Sequence, residues 1–132
     1  MDVGYDGWGY TSYNETHVTQ LGYPIGIDAA SQMIRNDAQG IIGDASWAFN
    51  TIIGTQMDQG SSGGPWIDNF GSPGVLTGAF PGYAPNANVI IGVTSWGVPY
   101  GTELFAGASL FTASNIISLI NTACSAYPLA CS

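Results

Sequence analysis

The chain has 132 residues, of which 45% are hydrophobic and only 8% are charged. This is enough to bury one hydrophobic core, and we expect a single folded domain over residues 1–132 rather than a disordered chain or a large multidomain enzyme. Nine acidic residues against one basic residue give a formal net charge of −8. This balance excludes nucleic acid and disfavours anionic membranes as partners, because both are bound through clusters of Lys and Arg.

The first residues, 1–15, mix Gly, Tyr, Trp and Asp without a helical or strand period and predict an irregular lead-in. Residues 16–21 are β-prone, and the Gly22-Tyr23-Pro24 sequence predicts a turn after that strand. Further short strands are predicted where apolar or alternating runs stand between Gly, Pro, Asn, Asp or Ser. These runs are residues 32–35, 40–42, 51–56, 65–68, 74–78 and 89–95.

A helix is predicted near the end of the chain, over residues 113–123, with Thr112 or Ser114 as its N-cap. The apolar residues recur there at helical spacing and should form one stripe that packs on the rest of the fold. They are Ala113, Ile116, Ile117, Ile120 and Ala123. Nineteen glycines and seven prolines among short strands are typical of an antiparallel barrel or sandwich. The predicted fold is therefore all-β with one C-terminal helix.

Two cysteines, Cys124 and Cys131, flank a short loop that contains Pro128. Their number and spacing predict a local disulfide, with two reduced cysteines as the alternative. Together with the lysine-free acidic composition, this favours an extracellular or periplasmic parent protein. No run of roughly 18 apolar residues and no basic-then-apolar opening occurs, so we expect neither a membrane span nor a signal peptide. Two cysteines and one distant histidine do not make a usual metal site, and no cofactor is expected.

The stretch Gln59-Gly60-Ser61-Ser62-Gly63-Gly64-Pro65-Trp66 is the most informative part of the sequence. Glycines on both sides of a serine allow a tight turn whose backbone N–H groups converge near the hydroxyl. Such preorganised donors are what an oxyanion requires during acyl transfer. The alternative is a glycine-rich loop that merely joins two strands, and this octapeptide does not decide between them.

A second motif, Ser95-Trp96-Gly97, ends a predicted buried strand about thirty residues after Ser62. With both motifs in this order, the sequence resembles the trypsin-like (chymotrypsin-fold) serine peptidases of bacterial type. In that superfamily the nucleophile lies in a Gly-Asp-Ser-Gly-Gly-Pro motif, and the substrate-binding strand ends in Ser-Trp-Gly. The resemblance extends to the turn at residues 22–24 and the C-terminal helix. The resemblance covers only one of the family's two barrels, the C-terminal one. It implies a single antiparallel Greek-key β-barrel.

The resemblance implies that Ser62 is the nucleophile and that the N–H groups of Gly60 and Ser62 form the oxyanion hole. It further implies that Ser95, Trp96 and Gly97 pair with the substrate backbone beside the primary specificity pocket.

One wall of that pocket is implied to be residues 56–59, with Gln56 near the floor and Gln59 close to the nucleophile. A neutral floor argues against a strict preference for Lys or Arg, although Asp58 would contribute if it points inward. Ser61 stands where many animal members carry the aspartate that pairs with a newly cut N-terminus, so activation by that route is not expected.

The general base is the weak point of this interpretation. In the family the base histidine and its aspartate come from the first barrel, which this chain does not contain. The chain's only histidine, His17, lies in the first strand and does not match the catalytic histidine by motif or order. It is either a surface or structural histidine, or a base that reaches Ser62 within the chain or from a second copy across a dimer interface.

Two functional hypotheses follow. The first is a serine hydrolase that acts on esters, and on peptides less readily, through a Ser62 acyl-enzyme. The second is an inert truncated barrel that binds a peptide along residues 95–97 or self-associates. In both cases we expect homo-oligomers, because the surface left by the missing first barrel would be apolar.

Overall fold

The structure is a computed structural model that describes residues 16–42, 50–71, 88–98, 104–111 and 115–128. Six strands and one α-helix lie within these ranges. In chain order they are β1 (Thr16–Gly22), β2 (Ile34–Ile42), β3 (Asn50–Gly54), β4 (Pro65–Asp68), β5 (Val89–Val98), β6 (Phe105–Leu110) and α1 (Ile117–Ala126).

The strands form an antiparallel barrel in the order β1-β2-β3-β6-β5-β4, which closes where β1 pairs with β4. The closing register aligns Thr19 with Ile67 and Gln20 with Trp66. Strands β1, β2 and β3 are successive neighbours, and β4 returns to the free side of β1, which is the Greek-key arrangement. The predicted all-β barrel with a C-terminal helix is confirmed.

The barrel interior is filled by apolar side chains from five of the strands. They are Val18, Ile53, Trp66, Val89, Ile91, Ala106 and Ala108. A small polar cluster lies among them, since the Thr94 hydroxyl oxygen accepts hydrogen bonds from Gln20 Nε2 (3.0 Å) and Trp66 Nε1 (2.9 Å). All three side chains are buried, so this cluster joins β1, β4 and β5 inside the barrel at one point.

Most of the predicted strands are present, with shifted limits. The prediction for residues 65–68 matches β4, and the first strand extends one residue further, to Gly22. Residues 34–35 of the run 32–35 and all of the run 40–42 belong to a single strand, β2, because the polar residues between them pair with β1 throughout. Strand β6 was not predicted, and the predictions for residues 1–15 and 74–78 lie outside the described residues.

The C-terminal helix exists, but the limits predicted for it are wrong. It begins at Ile117, not at residue 113, because Asn115 Nδ2 donates to the Leu110 carbonyl oxygen (2.9 Å) and holds a turn ahead of the helix. Ile116 occupies the N-cap position without a side-chain cap bond, and the proposed caps, Thr112 and Ser114, lie outside the described residues.

The helix also packs less closely than its sequence predicts. Ile117 and Ile120 are half-buried, whereas Ala123 is exposed, and no residue of α1 is fully buried. Among the described residues no cysteine is free. Cys124 lies in α1 and Cys131 outside the described ranges, so their pairing stays a prediction. None of the described helices has the length and apolar character needed to cross a membrane.

Candidate functional site

The glycine-rich segment between β3 and β4 forms a tight turn against the end of β1. Gly60 adopts φ +94°, a conformation that glycine reaches without strain, and a Cβ there would lie 2.4 Å from the Tyr23 carbonyl oxygen. A Cβ at Gly64 would lie 2.1 Å from the Leu21 carbonyl oxygen. The sequence uses glycine at both positions because the backbone of β1 and its turn approach too closely for any side chain.

Backbone hydrogen bonds fix the turn on its other side. Gly63 N–H donates to the Thr94 carbonyl oxygen (2.9 Å), and Thr94 N–H donates to the Gly64 carbonyl oxygen (2.9 Å). Within the turn, Ser61 N–H donates to the Asp58 carbonyl oxygen (3.2 Å) and Gly64 N–H to the Ser61 carbonyl oxygen (3.0 Å). The turn is therefore held between β1 and β5.

Two backbone N–H groups of this turn make no hydrogen bond within the described part of the chain. Those of Ser61, Gly63 and Gly64 are all bonded, whereas those of Gly60 and Ser62 have no hydrogen-bond partner in the described part of the chain. These are the two donors that the sequence assigns to an oxyanion hole. They are available to an acceptor that approaches from outside.

The two neighbouring serines have opposite environments. Ser61 is buried, and its hydroxyl has no hydrogen-bond partner among the described residues. Ser62 is exposed and lines a pocket of about 110 Å³. Of the two serines, Ser62 is therefore the accessible one, while Ser61 packs beneath the turn against Gly22.

Three short segments line the pocket together with Ser62. They contribute Met57, Asp58, Gln59, Thr94, Trp96, Gly97 and Ala106. Residues 57–59 of the predicted wall and Trp96 and Gly97 of the predicted strand are thus brought together beside the serine, whereas Ser95 does not line the pocket. Gln56, predicted near the floor, is exposed and does not line the pocket; its neighbour Met57 does, because the chain alternates in direction there.

The indole of Trp96 is held flat against the neighbouring strand. A β-bulge between Thr94 and Trp96 shifts the register of β5 on β6, leaving Ser95 exposed and Trp96 half-buried. A Cβ at Gly107 would lie 2.3 Å from the indole, and the Phe105 ring meets it edge-on at 5.7 Å. The absence of a side chain at Gly107 therefore sets where this pocket wall stands.

Asp58 lines the pocket and is anchored by the turn that follows β1. Both of its carboxylate oxygens accept a hydrogen bond from the Gly26 N–H, each at 3.0 Å. The other polar groups of the pocket are hydroxyl and amide groups, and Met57, Trp96 and Ala106 form its apolar lining.

His17 is not brought to Ser62. Its side chain is exposed, and it is not among the residues that line the pocket. Leu21, whose carbonyl oxygen adjoins Gly64, is four residues further along β1, a distance of roughly 13 Å at the rise of a strand. The titratable neighbours of His17 are instead the acidic groups Asp37 and Asp68.

These two carboxyl groups are perturbed in opposite directions. Hydrogen bonds from Arg35 and then from Thr19 hold the pKa of Asp37 below its usual value, against a small opposing effect of burial. Burial raises the pKa of Asp68, against a hydrogen bond from the Asn69 N–H. Neither group lies at the pocket.

The sequence alone did not identify two of the lining residues, Thr94 and Ala106, whereas Met57 lies within the wall predicted over residues 56–59. Thr94 directly precedes the Ser-Trp-Gly motif, and this position is a signal that could have been used. Ala106 had none, because its strand was not predicted. Among the described residues no group of three or more potential metal ligands occurs.

No family model, no curated protein and no solved structure matches this chain. The resemblance to trypsin-like peptidases therefore stays a prediction from the two motifs, and the chemistry of the site is argued below from its own residues.

Proposed function

We propose that this chain is a serine hydrolase that cleaves esters through an acyl-enzyme on Ser62. The single observation that carries the proposal is the placement of two unpaired backbone donors, the N–H groups of Gly60 and Ser62, beside an exposed serine hydroxyl at a pocket. Preorganised donors of this kind stabilise a developing oxyanion, and losing one such donor typically slows catalysis by about 10²–10³-fold.

The proposed reaction has two steps. The Ser62 oxygen attacks the ester carbonyl carbon, its proton passes to solvent, and the carbonyl oxygen becomes an oxyanion that accepts the two N–H groups. The carbon–oxygen bond to the leaving group then breaks, which releases an alkoxide or phenolate and leaves the acyl group on Ser62. Water adds to the acyl-enzyme, releases a carboxylic acid and restores the serine.

Activated esters suit this site better than amides. The described residues that line the pocket include no histidine, and an amine leaving group needs a proton from a general acid. A phenolate departs without one. The apolar surfaces of Met57, Trp96 and Ala106 favour a short, uncharged acyl group.

The test is hydrolysis of p-nitrophenyl acetate and butyrate, alongside labelling by a fluorophosphonate. Ser62→Ala should reduce both to the uncatalysed background. Ser109→Ala is the matched control, since Ser109 is also exposed but lies in β6 outside the pocket, and it should keep parental rates. Equal turnover in the parent and in Ser62→Ala would overturn the proposal.

A second candidate function is a peptide-binding or self-associating module. Pairing of β5 with β4 ends at Val93, whereas β5 continues to Val98 paired with β6, in the part of the chain that is described. An extended peptide could add at such an edge. Tyr23, Ile25 and Met33 are about half exposed, which supports self-association. Sedimentation equilibrium and peptide titration test this candidate, and a monomer without peptide affinity would contradict it.

A further inference from the structure

The turn that follows β1, residues 23–31, is hydrogen-bonded to the glycine-rich segment that carries the proposed oxyanion donors. Gly26 N–H donates to both carboxylate oxygens of Asp58, each at 3.0 Å, and Ile25 N–H donates to the Gln59 carbonyl oxygen at 2.7 Å. Asp58 and Gln59 directly precede Gly60. Ile25 and Gly26, two consecutive residues of this turn, are therefore hydrogen-bonded to Gln59 and Asp58, the two residues that precede Gly60.

The contact leaves no spare room. A Cβ at Gly26 would lie 2.2 Å from Asp58 Oδ2, and a Cβ at Gly60 would lie 2.4 Å from the Tyr23 carbonyl oxygen and 3.2 Å from Ile25 Cγ1. A movement of the turn would therefore be transmitted to Asp58 and Gly60 directly.

The turn needs such an attachment, because its own conformation is unfavourable. Asp28, Ala29 and Ala30 have φ values of 54°, 50° and 59°, which non-glycine residues rarely adopt. The turn has its own hydrogen bonds, from the N–H groups of Ile27 and Ala30 to the Pro24 carbonyl oxygen and from Ser31 Oγ to the Asp28 carboxylate. Within the described ranges, the hydrogen bonds that connect it to residues 58–64, the loop that carries Ser62, are those to Asp58 and Gln59.

We propose that Asp58 is a positioning residue: its carboxylate, bound to the Gly26 N–H, holds the backbone so that the N–H groups of Gly60 and Ser62 point to one place. Asp58 thereby acts through the loop and not through its charge on the substrate. The catalytic consequence rests on the proposed function, whereas the ordering of the loop does not.

Four single variants and one double variant, Gly26→Ala with Asp58→Ala, test this inference. Gly26→Ala pushes on the carboxylate from a residue that does not line the pocket, Asp58→Ala removes the acceptor, and Asp58→Asn keeps one acceptor oxygen. Gly54→Ala is the matched control, because a Cβ at Gly54 meets only the Leu104 carbonyl oxygen at 4.0 Å.

With p-nitrophenyl butyrate, Gly26→Ala and Asp58→Ala should each lower kcat about tenfold or more, since small misplacements of catalytic groups have effects of this size. For Gly26→Ala the loss should fall mainly on kcat and less on KM, because Gly26 does not line the pocket and only the Asp58 carboxylate there is displaced. Asp58→Asn should recover part of the lost kcat. The double variant, Gly26→Ala with Asp58→Ala, should have a kcat no lower than that of Asp58→Ala, since the carboxylate that collides with the new Cβ is then absent.

Amide hydrogen exchange provides a readout that does not require activity. The Ile25 and Ser61 amides, bonded to the carbonyl oxygens of Gln59 and Asp58, should exchange at least about tenfold faster in Asp58→Ala. The Gly63 amide, bonded to the Thr94 carbonyl oxygen, should not change. Parental exchange and parental kcat in both Gly26→Ala and Asp58→Ala would overturn the inference. If the parent lacks esterase activity, the proposed function fails, and the exchange rates alone decide whether Asp58 orders the loop.

Discussion

The two ends of β1 have contrasting surroundings. At the Gly22 end, the strand lies against a glycine turn whose backbone approaches so closely that Gly64 has no room for a Cβ. At the other end His17 is exposed, with acidic groups as its electrostatic neighbours. One short strand therefore separates the accessible serine from the chain's only imidazole.

This contrast shows what the barrel itself supplies to the candidate chemistry. Strand pairing and glycine close-packing are sufficient to place two donors, a hydroxyl and a pocket wall together. Among the described residues they bring no imidazole to the serine, because His17 lies on β1 four residues before Leu21, whose carbonyl oxygen adjoins Gly64. In the proposed hydrolase, the described residues would therefore favour oxyanion stabilisation over proton transfer.

The largest expected effect is on stability, at the hydrogen bonds that join Thr94, a pocket residue, to Gln20 of β1 and Trp66 of β4. Thr94→Val removes the oxygen that accepts Gln20 Nε2 and Trp66 Nε1, which leaves two buried donors unpaired and should destabilise the protein by about 2–4 kcal/mol. Urea unfolding measures this loss.

Thr94→Ser is the control for that experiment, since it keeps the oxygen and removes only a methyl group. It should lose no more than about 1.5 kcal/mol. A loss in Thr94→Val no larger than that in Thr94→Ser would contradict the expectation that the polar cluster contributes more to stability than the methyl group does.

A smaller effect is expected at the His17 end, from the pH dependence of stability. Because burial raises the pKa of Asp68, the folded protein retains a proton that the unfolded chain has already lost. The contribution of Asp68 to stability therefore falls as pH rises from its ordinary pKa of 3.8 through the raised folded value. Asp68→Asn should remove this fall and stabilise the protein at neutral pH, by less than Thr94→Val destabilises it. Thermal unfolding between pH 3 and pH 8 provides the comparison.

Asp37→Asn is the matched variant of opposite sign. Hydrogen bonds from Arg35 and Thr19 lower the pKa of Asp37, so its contribution is present above 3.8 and is lost as pH falls through the lowered value. The substitution should slightly destabilise the protein at neutral pH. Stability that changes in the same direction in both variants would contradict the assignment of these pKa shifts.

How far the sequence predicts this molecule depends on the kind of signal. Strands with β-branched residues, such as β4 and β5, were predicted because their side chains fit a half-buried pleated surface. Strand β6 reads Phe-Ala-Gly-Ala-Ser-Leu and has little intrinsic preference for a strand. It forms by pairing with both β3 and β5, and the Trp96 indole leaves no room for a side chain at Gly107, so its basis is tertiary.

The candidate site divides in the same way. Ser62 and the glycines around it were predictable, because a turn with positive φ needs glycine. The role of Met57 in place of Gln56 and the engagement of Asp58 with Gly26 were not. Both depend on how a turn more than thirty residues away packs, and the local sequence does not encode that contact.

The smallest expected effect is that of His17 on ester hydrolysis. Because His17 lies at the end of β1 away from the loop, His17→Gln should change kcat by less than about twofold, whereas removal of a true general base typically lowers rates by about 10²–10⁴-fold. Initial rates with p-nitrophenyl butyrate, measured over a hundredfold range of protein concentration, check this directly. A large loss accompanied by a specific activity that rises with protein concentration would mean that a second copy delivers its imidazole to Ser62. A loss independent of concentration would mean that β1 does not hold His17 in the position described. Unchanged rates would show that His17 and Ser62, at the two ends of β1, act independently. The Ser62 hydroxyl would then depend on its backbone donors alone.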